Sequence, residues 1–158
     1  SGNRPRGEAD LYDQLLGNVL REIEGITPDT IVFAWMQGER DAREGHGDVY
    51  ANSLMGLVKQ LETDLNHKDI FVVIGRLSDH GNDCPDRPHW NLLRQIQVDL
   101  AQNNSRWAWV DTDDLNGPDN NLHYTRDGYV RLGERFARSA IELIQPKNNA
   151  SNEGEEHR

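Results

Sequence analysis

The chain has 158 residues, of which 35% are hydrophobic and 28% are charged, and this composition fits one soluble globular domain with an ordinary core. A formal net charge of −10 disfavours attraction to nucleic-acid phosphates, and the longest apolar run, residues 31–36, is far short of the roughly 20 residues that span a bilayer. Neither nucleic acid nor a membrane is therefore an expected partner, and the lone cysteine, Cys84, excludes an intrachain disulfide. The sequence does not decide between a secreted and a cytoplasmic location.

The chain begins with a predicted helix that is followed by a predicted buried strand. The helix covers about residues 8–24, because apolar residues recur at intervals of four along one face. These residues are Leu11, Leu15, Val19 and Ile23. The run TIVFAW at residues 30–35 is short and apolar, which is typical of a strand buried on both faces.

The same alternation of helix and strand continues to the end of the predicted domain. The further elements are a helix over 47–66, a strand over 70–75, a helix over 89–102, a strand over 106–111 and a helix over 125–144. Thr125 is the predicted N-cap of the last helix, and Pro146 stops it. We therefore predict one domain over residues 1–146 and a disordered polar tail over 147–158.

Helices alternating with strands predict an α/β domain, in which a parallel sheet lies between two layers of helices. Only three strands are evident, whereas about five are usual in a sheet of this kind. An upstream segment or a second chain that completes the sheet is therefore an expected partner, because an unpaired edge favours pairing with another strand.

Polar segments follow each of the three predicted strands. They read MQGERDA, RLSDHGNDCPDRPHW and DTDDLNGPDNNLHYT, whereas the loops at the opposite edge, GITPD and NHKD, are short. In open parallel sheets, ligands bind outside the carboxyl ends of the strands. The sequence therefore predicts a functional site where these three segments meet.

Two of these segments contain candidate catalytic groups. His123 lies near several aspartates just before a helix, as a general base steered by a carboxylate would, although a surface histidine in an acidic loop fits the same pattern. Gln37 lies beside Gly38 at a strand end, where its amide could stabilise an oxyanion. Gln37 and Glu39 could equally serve only to hold neighbouring loops.

No metal or cofactor is predicted. The second segment and its flank contain residue types that bind metals, but such residues are common in polar loops. They are Asp79, His80, Asp83 and His89. The chain has neither a Gly-x-Gly-x-x-Gly motif nor a phosphate-binding Gly-Lys-Ser/Thr loop, which disfavours a nucleotide-binding domain.

Four segments, in order, resemble the C-terminal portion of the sialate O-acetylesterase-like carbohydrate esterases, a branch of the SGNH hydrolases. They are WMQGERDA, VVIGRLSD, WNLLRQIQ and VDTDDLNGPDNNLHYTRDGYVRLGERFA, and the resemblance runs from about Ile31 to Ala140. It implies the SGNH hydrolase fold, a three-layer α/β/α arrangement with a parallel, flavodoxin-like sheet. It also implies an esterase that removes O-acetyl groups from sugars, or acts on another small ester, without a metal ion.

The resemblance assigns roles to individual residues. Gln37 is similar to the oxyanion-hole side chain of the family, and His123 is similar to the catalytic base. The rest of the segment WMQGERDA resembles the family pattern at Gly38, Glu39 and Asp41, and these residues would shape the substrate pocket. We add Arg76, at the end of the next strand, to the predicted pocket residues.

This chain departs from the family pattern at two places. The nucleophilic serine of the family lies in a Gly-Gln-Ser-Asn motif that is absent here, so the nucleophile is unknown and expected outside this chain; Ser78 is the one alternative within it. The acid expected three residues before His123 is replaced by Asn120, with Asp119 one residue further back. Either residue could face the histidine.

The missing serine leaves a second functional interpretation open. The chain could be a catalytically inactive relative that keeps the fold and binds a carbohydrate. In that case Trp90 or Tyr124 is the predicted stacking surface for the sugar.

Overall fold

The computed structural model of the chain describes residues 11–79 and 87–145. The helices in these ranges are α1 Leu11–Glu22, α2 Glu39–Glu44, α3 Gly47–Asp64, α4 Arg87–Gln102 and α5 Arg126–Ile144. The strands are β1 Val32–Trp35, β2 Phe71–Gly75, β3 Trp107–Val110, β4 Asn116–Gly117 and β5 Asn121–Tyr124. The predicted tail at 147–158, with Cys84, His80 and Asp83, lies outside the described residues.

The main sheet has the strand order β1-β2-β3, and both pairs are parallel. Val73 in the central strand pairs with Ala34 on one side and with Ala108 on the other. This arrangement confirms the predicted α/β class with a parallel sheet.

Helices cover both faces of this sheet. Val72 and Ile74 belong to a core that also contains Leu54 of α3 and Leu93 of α4. Val73 points to the opposite face, where it packs in a second core with Leu132 of α5. Since successive side chains of a strand point to opposite faces, β2 contributes to both cores, and the result is the predicted three-layer arrangement.

The last helix begins where the sequence predicts. The Thr125 side chain accepts a hydrogen bond from the backbone N–H of Gly128 at 3.1 Å, which confirms it as the N-cap of α5. Two elements were not predicted. They are the short helix α2, which follows β1, and the antiparallel β4–β5 hairpin, which follows β3.

One prediction about burial was wrong. β1 is not buried on both faces, because α5 packs against β2 and β3 and leaves Ala34 exposed. In α1, Leu11 and Leu15 are 83% and 39% exposed and no residue is fully buried. The Tyr12 hydroxyl donates to Asp64 Oδ2 at 2.6 Å and its ring packs against the core, and Val19 and Ile23 of the predicted apolar face are half-buried.

No helix within residues 11–79 and 87–145 is both long enough and apolar enough to cross a membrane.

Candidate active site

The candidate site lies at the carboxyl edge of the three-stranded sheet. Gln37 follows β1, Arg76 follows β2 and Asp111 follows β3, and the parallel pairing brings these three strand ends to one edge. The β4–β5 hairpin follows β3 at this edge and contains His123. The structure thus brings together the starts of the three polar segments that the sequence pointed to, residues 80–86 of the second segment lying outside the described part of the chain.

Gln37 is held at both its backbone and its side chain. Its backbone carbonyl accepts hydrogen bonds from the Tyr50 hydroxyl at 2.9 Å and from Gln97 Nε2 at 3.0 Å. Its side-chain Nε2 donates to Asp41 Oδ2 at 2.7 Å. Asp41 therefore orients the amide that was predicted as the oxyanion donor.

A buried amide links the first two strand ends. Gln97 is 0% exposed; its Nε2 also donates to the Tyr50 hydroxyl at 3.0 Å, and its Oε1 accepts from the Leu77 backbone N–H at 2.8 Å. Trp35 Nε1 donates to the same Tyr50 hydroxyl at 3.0 Å. Burial raises the pKa of Tyr50, and the hydrogen bonds with Gln97 and Trp35 offset part of that rise, so the hydroxyl stays neutral at physiological pH.

The backbone at Gly38 adopts a conformation that favours glycine. Its φ angle is 144°, and a Cβ atom there would lie 2.6 Å from Leu93 Cδ2 of α4. The Gly38 N–H donates to Glu39 Oε2 at 3.0 Å. The absence of a side chain lets the start of α2 lie directly against α4, and Glu39 accepts a hydrogen bond from the N–H of the buried Gly38.

Charged groups link the second and third strand ends. Arg94 of α4 forms a bidentate pair with Asp113, with Nη1 and Nη2 at 2.7 and 2.8 Å from Oδ1 and Oδ2. Arg76 Nη2 lies 2.8 Å from Asp113 Oδ2 and 2.8 Å from Asp111 Oδ1. The Arg76 guanidinium also stacks over Trp109, 4.9 Å from the ring centroid. Two carboxylates and an aromatic ring therefore hold the Arg76 guanidinium within the protein, although its buried Nε has no hydrogen-bond partner among the described residues, and these contacts favour a bracing role.

Asp113 remains ionised because of these contacts. Burial acts to raise the pKa of this carboxyl group, but the hydrogen bonds and charge of Arg94, together with the charge of Arg76, outweigh it and the pKa is lowered.

Three hydroxyl groups lie close together beneath the site. Burial raises the pKa of Tyr124, and the hydroxyls of Thr112 and Ser78 are close enough to offset part of the rise. Among the described residues, however, neither Ser78 Oγ nor the Tyr124 hydroxyl has a hydrogen bond of normal geometry. Ser78 is 1% exposed, so a substrate cannot reach it without rearrangement of the strand end.

The side chain of Asn120 forms its described hydrogen bonds with residues other than the candidate base His123. His123 is exposed on β5, while its neighbour Tyr124 points into the core. Asn120 Oδ1 accepts a hydrogen bond from Asn116, and Asn120 Nδ2 donates to the Asp79 carbonyl at 3.4 Å. Asp119 lies in the 3₁₀ turn Pro118–Asn120, four residues before His123. Within the part of the chain that the structure describes, His123 has no side-chain hydrogen bond.

The predicted stacking residues are not available for stacking. Trp90 is 1% exposed, and its Nε1 donates to the Ser78 carbonyl at 2.7 Å. Tyr124 is 9% exposed. Both rings are part of the core, so the prediction that either forms a carbohydrate stacking surface was wrong. The described residues include no group of three or more side chains that could bind a metal ion.

Several residues that build the site were not predicted as part of it. Tyr50 and Gln97 hold the backbone of Gln37, and Arg94 holds Asp113. The sequence does contain one signal for Gln97, since it lies four residues after Leu93 and four before Ala101, both of which are buried. A polar residue in the middle of a buried helical face requires a hydrogen-bond partner.

Comparisons with known proteins identify the family of the chain and a solved structure of similar fold. A family model described as carbohydrate esterase, sialic acid-specific acetylesterase, matches residues 3–142. Among solved structures, a protein from Arabidopsis thaliana determined by X-ray crystallography at 1.6 Å matches with a TM-score of 0.68 and 25% sequence identity. The match covers 87% of this chain and 54% of the Arabidopsis chain, so this chain spans about half the length of that structure. No curated protein matches the chain.

Replacing Gln97 with Leu should destabilise the protein, because it leaves the Leu77 N–H without its partner and removes both bonds from Nε2. We expect the free energy of unfolding to fall by about 2–3 kcal/mol, as measured by urea denaturation. The matched control is Gln95→Leu, on an exposed position of the same helix. Equal losses in the two variants would show that the buried amide does not brace the strand ends.

Replacing Asp113 with Asn should lower stability in a pH-dependent way. The folded pKa of Asp113 is lowered, so its contribution is present above the unfolded pKa of about 3.9 and is lost as pH falls through the folded value. We expect a loss of about 2 kcal/mol at pH 7 that shrinks below about pH 4. Urea denaturation at pH 7 and again below about pH 4 checks this, with Asp99→Asn as a control at an exposed position. A loss that is the same at both pH values would contradict the assignment.

Proposed function

Because this chain belongs to the family of carbohydrate esterases described as sialic acid-specific acetylesterases, we propose that it provides the oxyanion donor and the catalytic base of an esterase. The proposed reaction is hydrolysis of O-acetyl esters on sugars. The observation that supports it most directly is the Gln37 amide, which Asp41 orients at the carboxyl edge of the sheet.

The proposed reaction proceeds through an acyl-enzyme. A serine hydroxyl, supplied by a segment outside this chain, attacks the acetyl carbonyl carbon, and His123 accepts the proton. The carbonyl oxygen becomes an oxyanion that accepts a hydrogen bond from Gln37 Nε2. The carbon–oxygen bond to the sugar then breaks, and His123 returns the proton to the departing sugar oxygen. Water releases acetate from the serine by the same steps.

The orienting acid is assigned to Asp119. Both ends of the Asn120 side-chain amide are engaged, by Asn116 and by the Asp79 carbonyl, so Asn120 has little capacity left to orient a histidine. Asp119, by contrast, is a carboxylate four residues before His123. A carboxylate at that place would fix the tautomer of His123 and stabilise the imidazolium that forms.

A second candidate function is carbohydrate binding without turnover. It is favoured by one observation, which is that no serine of this chain lies in the nucleophile motif of the family. It predicts that an acetylated sugar binds this chain, as read by titration calorimetry, and that no esterase activity appears when the neighbouring segment is supplied.

The first experiment on the proposed reaction uses a serine-reactive fluorophosphonate with mass spectrometry. We expect no adduct on the isolated chain, since Ser78 is buried, and one adduct on a serine of the polypeptide that completes the site. An adduct on Ser78 would place the nucleophile within this chain and contradict the proposal that a segment outside it supplies the serine.

The roles of Gln37 and His123 are tested by kinetics on the completed enzyme with an O-acetylated sialic acid. Gln37→Ala should reduce kcat about 10²–10³-fold with little change in KM, because the amide stabilises charge that develops only in the transition state. His123→Ala should reduce kcat by a still larger factor. The controls are Gln95→Ala and His67→Ala, each of which alters a residue of the same type away from the site. A Gln37 variant that retains full kcat would rule out the oxyanion role.

A further inference from the structure

The sugar part of the proposed substrate must lie near the β4–β5 hairpin. In the proposed reaction, Gln37 binds the carbonyl oxygen of the acetyl group, and His123 returns a proton to the sugar oxygen. The sugar oxygen must therefore come within hydrogen-bonding distance of His123, which belongs to the hairpin. A residue that recognises the sugar is accordingly expected beside this hairpin rather than on the Gln37 side of the scissile bond.

Asp79 binds the hairpin directly. It follows β2 at the carboxyl edge of the sheet and is half-buried. Its Oδ1 accepts a hydrogen bond from Asn116 Nδ2 at 2.9 Å, and Asn116 pairs with Tyr124 across the hairpin. Because Tyr124 is the residue after His123, the Asp79 carboxylate lies beside the segment that contains the candidate base.

Two further contacts fix the backbone of Asp79. Its carbonyl oxygen accepts a hydrogen bond from Arg87 Nη1 of α4 at 2.9 Å and another from Asn120 Nδ2 at 3.4 Å. Together with Asn116, these side chains tie Asp79 both to α4 and to the hairpin region. A group that is held in place before a ligand arrives loses little conformational entropy on binding, and this favours recognition.

The second carboxylate oxygen of Asp79 is open to a ligand. Within residues 11–79 and 87–145, Oδ2 forms no hydrogen bond or ion pair, and it does not belong to the buried polar atoms that lack a partner, so it is accessible to solvent. Both oxygens of Asp113, by contrast, bind arginine side chains. Arg87 binds the carbonyl of Asp79, so its charge is not spent on the Asp79 carboxylate.

We propose that Asp79 selects sugar esters that have a free hydroxyl group on the carbon next to the esterified one, by accepting a hydrogen bond from that hydroxyl at Oδ2. This hydroxyl is the one nearest the departing sugar oxygen, and Asp79 lies beside the segment that protonates that oxygen. A hydrogen bond from a hydroxyl to a carboxylate is charge-assisted and roughly twice as strong as one between neutral groups. The inference rests on the proposed function and names the class of sugar ester that the site prefers.

The test measures kcat/KM of the completed enzyme for two esters. One is an O-acetylated sialic acid with a free hydroxyl on the carbon next to the ester, and the other is the deoxy analogue that lacks only this hydroxyl. We expect the enzyme to prefer the first ester roughly 10–100-fold, because the analogue leaves the Asp79 carboxylate without its partner. Asp79→Ala should bring this preference close to one.

Two further variants separate recognition of the sugar from support of the hairpin. Asn120→Ala removes a bond to the Asp79 backbone but keeps the carboxylate, so it should lower kcat/KM for both esters by the same factor. Asp79→Asn keeps the size of the side chain, and its oxygen would face Asn116 Nδ2, so that its NH₂ group faces outward. This variant should also weaken the preference, since it replaces a charged acceptor with a neutral donor. Circular dichroism confirms that each variant is folded.

The outcomes distinguish this inference from the proposed function. The inference fails, and the proposed function stands, if the enzyme hydrolyses both esters equally well or if Asp79→Ala lowers kcat/KM for both by the same factor. The second result would assign Asp79 a purely structural role. If Asp79→Ala does not fold, the same comparison with Asp79→Asn decides. An enzyme that hydrolyses neither ester overturns the proposed function and this inference with it.

Discussion

The side-chain amide of Gln97 is the interaction on which the candidate site depends. It is fully buried and joins the carbonyl of Gln37, the hydroxyl of Tyr50 and the N–H of Leu77. A buried polar group is costly unless its hydrogen bonds are made, so this amide permits only a narrow range of positions for the two strand ends. Gln37 is thereby fixed relative to β2 before any substrate binds.

A charged cluster performs the same task between the second and third strand ends, by different physics. Asp113 lies between Arg94 and Arg76, both of which are 14–17% exposed, while Asp113 itself is 32% exposed. Its attraction to the arginines is weakened by acid and, being partly exposed, by salt, whereas the neutral amide network responds to neither. The carboxyl edge therefore combines one brace that is insensitive to solution conditions with one that is sensitive to them.

The sequence predicted the sheet and the long helices because hydrophobic periodicity reports burial. It failed where tertiary contacts decide the outcome. Helix α2 has six residues, too few to show a period, and is held by its packing on α4. In α1, Tyr12 reaches Asp64 through a contact across 52 residues, which no local pattern encodes.

The same limit applies to the site. The rule that ligands bind at the carboxyl ends of parallel strands placed Gln37 and Arg76 correctly at the edge of the sheet. It could not identify Gln97, which lies 60 residues from Gln37 on a helix whose position is known only from the fold.

Two N–H donors at the end of β1 illustrate what only the structure reveals. Gly38 has a single N–H, and Glu39 occupies it while stabilising the start of α2. The Gln37 amide has two N–H bonds, and Asp41 accepts one of them, so the second N–H is left for another acceptor. Both donors thus bind carboxylates of the same short segment, so Glu39 and Asp41 fix the conformation of the chain where it leaves β1.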